Sequence, residues 1–90
     1  MRAINLGSGQ RRFESIPGVI EWVNVDTQEK WNPDIVADGA HLPMIADASV
    51  DIVVLHHVLE HFGCGEAATV IQECRRILKL GGSLIMKLTI

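Results

Sequence analysis

The chain has 90 residues, 48% of them hydrophobic, and a net charge of −3. That describes one small globular domain (residues 1–90) and excludes a disordered tail; at this size folding buries only about 60–65% of the extended surface. The interspersed charges form no basic stripe and the longest apolar run, residues 52–55, is too short for a bilayer, so neither a nucleic-acid backbone nor a membrane is an expected partner.

The first predicted strand, residues 3–6, runs straight into Gly7-Ser8-Gly9. A glycine turn at a strand end leaves backbone N–H groups open to a closely approaching ligand, or is simply a tight turn. Residues 10–20 hold at best a short helix, with Phe13 and Ile16 as apolar contacts, broken at Pro17-Gly18. The second strand, residues 22–25, ends in Asp26, nineteen residues beyond Gly7. An acid about 20 residues after the first glycine is how nucleotide-binding α/β folds hold a ribose diol; the competing reading is a surface turn carboxylate.

Residues 34–38 read as a third strand ending in Asp38-Gly39, where Asp38 either reaches a ligand or makes an Asp-Gly turn. An acidic turn over residues 43–49 precedes a strand over residues 50–55, whose apolar run, broken only at Asp51, is of the central parallel kind. A helix is predicted over residues 64–80, with Ala67, Val70, Ile71, Cys74, Ile77 and Leu78 on its apolar face. Glu66, Gln72, Glu73, Arg76 and Lys79 are expected to face water, and Gly81-Gly82 to end the helix. Residues 83–88 are the last strand. Strand, crossover, strand throughout argues for an α/β fold with a parallel sheet.

The glycine turn lacks the third glycine of the dinucleotide fingerprint, whose place is taken by Arg12, and no phosphate loop of the G-x-x-x-x-G-K-[ST] kind occurs. A nucleoside without a pyrophosphate fits better than NAD or FAD. His57-Val58-Leu59-Glu60-His61 has the H-x-x-E-H spacing of inverted zincins, which keeps a zinc hydrolase through His57 and His61 as an alternative. Its position at a strand end favours histidines that line a ligand pocket, so no metal site is expected. Cys64 and Cys74 lack metal-ligand spacing; with no secretory signal before Ala3, they read as reduced thiols of a cytoplasmic protein.

Ile4-Asn5-Leu6-Gly7-Ser8-Gly9, Trp22-Val23-Asn24-Val25-Asp26, Asp34-Ile35-Val36-Ala37-Asp38, Leu42-Pro43, Ser49-Val50-Asp51, His57-Val58-Leu59-Glu60-His61 and the run from Glu73 to Gly82 follow one another in order. The series resembles the class I S-adenosylmethionine-dependent methyltransferases, nearest to the small type 11 methyltransferase domain. The resemblance implies a Rossmann-like sheet of about five strands in the order 3-2-1-4-5 with flanking helices, and S-adenosyl-L-methionine as cofactor. By the same resemblance Gly7, Ser8 and Gly9 line the methionine part and Asp26 binds the ribose hydroxyls. Asp38 with Gly39 contacts the adenine, and His56 or His57 sits beside the cofactor.

Three positions depart from the family pattern. Asn5 stands where an acid is usual and offers a hydrogen bond without charge; Arg11 replaces the third glycine; Leu80 replaces the proline before Gly81-Gly82. The fold is expected to lack its C-terminal hairpin and N-terminal helix. The function implied is methyl transfer to an unidentified nucleophile; the alternative is a non-catalytic cofactor-binding or interaction module. The apolar edge over residues 83–90 is expected to pair with a second copy or another partner.

Overall fold

The computed structural model describes residues 1–7, 18–56 and 64–87. The apolar runs form β1 (Arg2–Leu6), β2 (Glu21–Asp26), β3 (Ile35–Val36), β4 (Val50–His56) and β5 (Leu78–Lys87), with α1 (Cys64–Ile77) between β4 and β5. All neighbours pair in parallel, in the order β3-β2-β1-β4-β5. This is the expected doubly wound order. β1 lies at its centre, with Leu6 opposite Val25 on one side and Leu55 on the other.

Side chains alternate between the two faces of a strand. Ile4, Leu6, Val25, Val53 and Leu55 meet Val70, Cys74 and Ile77 of α1, together with Leu42 and Ile45 of the β3–β4 connection. Ala3, Ile52 and Val54 pack on the opposite face with Val19 and Trp22. Because both faces are covered, the central strands read as mostly apolar runs, broken in β1 by the buried Asn5 and in β4 by Asp51.

Three elements differ from their sequence reading. Only Ile35–Val36 of the third strand pairs. At its start the Asp34 carboxylate accepts the Asn24 backbone and side-chain N–H groups (2.7 and 3.2 Å), and at its end Asp38 already belongs to a turn. α1 stops at Ile77 rather than at residue 80. Its last carbonyls, on Arg76 and Ile77, accept N–H groups of Ala48 (2.9 Å) and Ser49 (2.8 Å), so the preceding loop caps the helix.

Gly81-Gly82 instead shapes a bulge. Val50 pairs with Leu78 and Ile52 with Ser83, leaving residues 79–82 looped out. Gly81 takes φ +85°, and a Cβ on Gly82 would lie 2.9 Å from the carbonyl oxygens of both Asp51 and Lys79. In β5 Leu78 and Leu84 are half-buried, whereas Ile85 and Met86 are 41% and 47% exposed. The short helix expected within residues 10–20 lies largely outside the described residues. A single 3-10 turn, Glu29–Trp31, was not anticipated.

Candidate functional site

Parallel strands send their carboxyl ends to one edge of the sheet, the edge on which ligands bind in such folds. At the end of β1, Gly7 turns with φ +70°, a conformation that favours glycine. Its N–H donates to Val25 O at 2.8 Å, which ties the turn to the end of β2. Ser8 and Gly9 lie outside the described residues.

One residue beyond Val25, the Asp26 Oδ1 accepts the backbone N–H of Gln28 at 2.8 Å. This short-range turn holds the carboxylate at the strand end. The Asp26 carbonyl accepts the N–H of Ala37 at 3.0 Å, bringing the end of β3 alongside. Beyond Asp26 the 3-10 turn closes at Asn32, in the left-handed region at φ 52°, and Lys30 Nζ stands 4.8 Å from the Trp31 ring centre.

Asp38 repeats the device used by Asp26. Its Oδ1 accepts Ala40 N–H at 2.9 Å and its carbonyl accepts His41 N–H at 2.9 Å. Gly39 is buried, and a Cβ there would stand 3.0 Å from Leu6 Cδ2. The Asp38-Gly39 turn thus rests on the residue that precedes Gly7. Gly7, Asp26, Asp38 and Gly39 are therefore gathered on one edge, as the sequence reading requires of a single site.

Asn5 lies one step inside this edge and is fully buried. Its Nδ2 donates to Asn24 Oδ1 at 3.0 Å, and Asn24 in turn donates to Asp34. The position usually held by an acid here joins a polar row that runs through Asn24 of β2 to the Asp34 carboxylate just before β3. His56 ends β4 opposite Lys87. His57 and the rest of the H-x-x-E-H run lie outside the described residues. Among the described residues no group of three His, Cys, Asp or Glu side chains could hold a metal ion.

Glu73 and Arg76, expected to face water, are instead partly buried against the β3–β4 connection. The Arg76 guanidinium donates to Glu73 Oε1 (2.7 Å), Asp47 Oδ1 (2.6 Å), Leu42 O (2.8 Å) and Ile45 O (2.9 Å). Glu73 Oε2 accepts Leu42 N–H at 2.8 Å. The Arg76 hydrogen bond holds the Glu73 carboxyl below its ordinary range; burial opposes this, and the Leu42 N–H adds to it. The i,i+3 spacing of Glu73 and Arg76 was a signal for the pair. Nothing local announced Leu42, Ile45 or Asp47 as their partners.

The edge offers a left-handed glycine turn for close backbone approach, a half-buried carboxylate suited to paired hydroxyls, and a second carboxylate in a fixed turn. That donor set suits a nucleoside with a ribose diol. No helix among the described residues is long and apolar enough to cross a membrane.

The family described as Methyltransferase domain matches residues 12–86. No curated protein matches the chain. Among solved structures, the PH0226 protein of Pyrococcus horikoshii OT3 superposes with a TM-score of 0.81 at 26% identity, over 94% of this chain and 47% of its own. A SAM-dependent methyltransferase of Archaeoglobus fulgidus superposes at 0.74 with 19% identity, over 92% of this chain and 42% of its own. The [4+2]-cyclase SpnF superposes at 0.73 with 20% identity, over 92% and 36%. The chain thus spans less than half the length of each of these structures.

Proposed function

The chain belongs to the methyltransferase domain family, and from that premise we propose that it binds S-adenosylmethionine along the strand-end edge and serves methyl transfer to a nucleophile. The observation that carries this reading is Asp26 at the end of β2, held beside the Gly7 turn by the Gly7 N–H to Val25 O bond. Residues 1–90 act as one cofactor-binding unit. Within it the Gly7-Ser8-Gly9 backbone lines the methionine part and Asp26 accepts both ribose hydroxyls. Asp38 and Gly39 border the adenine, with His56 or His57 beside the cofactor. Asn5 supports the methionine end through its side-chain amide, which donates to Asn24.

When bound, the cofactor supplies an electrophilic methyl group on a sulfonium whose leaving group is a neutral thioether. The chain's own residues then have little bond-making to do. They hold the ligand in one orientation, and alignment of the nucleophile with the methyl carbon supplies the rate. A base is required only for a nucleophile that must lose a proton.

Titration calorimetry with S-adenosylmethionine, S-adenosylhomocysteine and NAD tests the ligand. The first two are expected to bind more tightly, and tighter NAD binding overturns the reading. Asp26→Ala is expected to cost about 1.5–3 kcal/mol of that binding, the size of a lost charge-assisted hydrogen bond. Asp26→Asn keeps an acceptor for Gln28 N–H and isolates the contribution of the charge.

The likeness to SpnF favours a second reading, because a [4+2]-cyclase shares this sheet. On that reading the chain binds the cofactor without transferring its methyl group. Transfer of labelled methyl groups to small acceptors separates the two. The exposed Ile85 and Met86 on β5 also support pairing of that edge with a second copy or another chain. Sedimentation at micromolar concentration checks it, and a stable monomer refutes the homodimer. The buried, unbridged Cys74 thiol is consistent with a cytoplasmic setting.

A further inference from the structure

Residues 38–49 cross from β3 to β4 without helix or strand, yet they carry Leu42 and Ile45 into the core. Their placement depends on side chains from α1. Leu42 is held at both backbone groups, its N–H by Glu73 Oε2 and its carbonyl by Arg76 Nη2. The same guanidinium reaches Ile45 O and Asp47 Oδ1. Its planar fork matches this spread of acceptors, which a lysine ammonium does not. Immediately before Leu42 comes the turn in which Ala40 and His41 donate to Asp38.

We infer that Glu73 and Arg76 are positioning residues for the nucleoside edge: by gripping Leu42 they hold the Asp38-Gly39 turn down on Leu6. The inference rests on the proposed ligand site, which neither residue touches. Gly39 meets Leu6 with no room for a Cβ, so a small rise of the connection at Leu42 lifts the turn away from the Gly7 edge. One end of the turn is fixed by β3 and the other by the α1 pair. Loss of the pair frees the second end while leaving the sheet and its register intact.

The test compares Arg76→Ala, Arg76→Lys and the milder Glu73→Gln with Ile77→Val, a core change on the same helix that leaves the pair alone. In the ligand-free protein, amide exchange is followed at Ala40 and His41, whose hydrogen bonds involve neither Glu73 nor Arg76. Exchange there is expected to quicken in Arg76→Ala and Glu73→Gln but not in Ile77→Val, with little rescue by Arg76→Lys. Affinities for S-adenosylhomocysteine and adenosine are both expected to fall about threefold to tenfold in Arg76→Ala. Asp38→Ala and Arg76→Ala together are expected to weaken binding by less than the product of their separate effects.

Unchanged exchange at Ala40 and His41 in folded Arg76→Ala or Glu73→Gln overturns the inference, as does undiminished affinity with fully additive effects. A parent protein that binds neither ligand refutes the cofactor reading instead. The exchange comparison then still decides whether the pair holds the turn.

Discussion

Gly39→Ala is the most direct test of how the ligand edge is assembled. The added Cβ would stand 3.0 Å from Leu6 Cδ2, 3.3 Å from Cγ and 3.4 Å from Cδ1. Carbon atoms in optimal contact sit about 3.5–4.0 Å apart, so the methyl group is aimed at the whole isobutyl head. Leu6 is 1% exposed and sits between the equally buried Val25 and Leu55, which blocks a sideways move. The loop cannot simply rise, because Glu73 and Arg76 grip Leu42. Overpacking of this kind costs about 1–3 kcal/mol. For a domain of this size each kcal/mol lowers Tm by about 4–8 °C, which scanning calorimetry resolves easily. Leu6→Ala removes Cγ and both Cδ atoms, so the double variant is expected to lose less than the sum of the two single losses. An unchanged Tm for Gly39→Ala, or strictly additive losses, would refute the packing argument.

Gly82→Ala is expected to cost about 3 kcal/mol or more, because its Cβ would meet two backbone carbonyl oxygens at 2.9 Å as well as Leu78 Cδ2 at 3.1 Å; thermal unfolding checks it. Burial pushes the Cys74 thiol up to about 12 from an ordinary 9.0. The unfolded chain therefore releases this proton first, and stability should fall by about 1.4 kcal/mol per pH unit through that window. Cys74→Ser, compared by denaturant titration at pH 8 and pH 10.5, is expected to weaken that fall. The Glu73 carboxyl lies below its ordinary 4.5, so its contribution is present above that value and is lost as pH falls through the lowered folded value. Glu73→Gln should accordingly lose less stability than the parent between neutral and acid pH, measured by denaturant titration at each; an identical loss in both proteins would refute it.

The central strands were legible because burial on both faces leaves a dominantly apolar run, seen best in residues 52–55 of β4. The pairing of Gly7 with Asp26 was legible for a related reason. A parallel unit brings successive strand ends to one edge whatever the crossover does, so the offset along the chain survives as neighbourhood in space. Where tertiary hydrogen bonds compete with local preference, the reading failed. Gly81-Gly82 looked like a helix stop, but Ala48 and Ser49 cap α1 first, and the glycines are spent on a bulge against β4. The helical wheel set Glu73 and Arg76 facing water because it knows only its own helix. Their partners, Leu42 to Asp47, arrive about 30 residues earlier in the chain. Asp38-Gly39 was visible as an Asp-Gly turn, while the reason for its glycine, contact with Leu6, needs the packed sheet. The residues proposed to touch the ligand announce themselves through strand ends and turn chemistry, which are local. Residues that hold the touching residues in place act through long-range contacts, and here these are a carboxylate and a guanidinium on the apparent solvent face of a helix. Substitutions chosen from sequence motifs alone would leave Glu73 and Arg76 untouched, and with them the grip on which the placement of Asp38 and Gly39 depends.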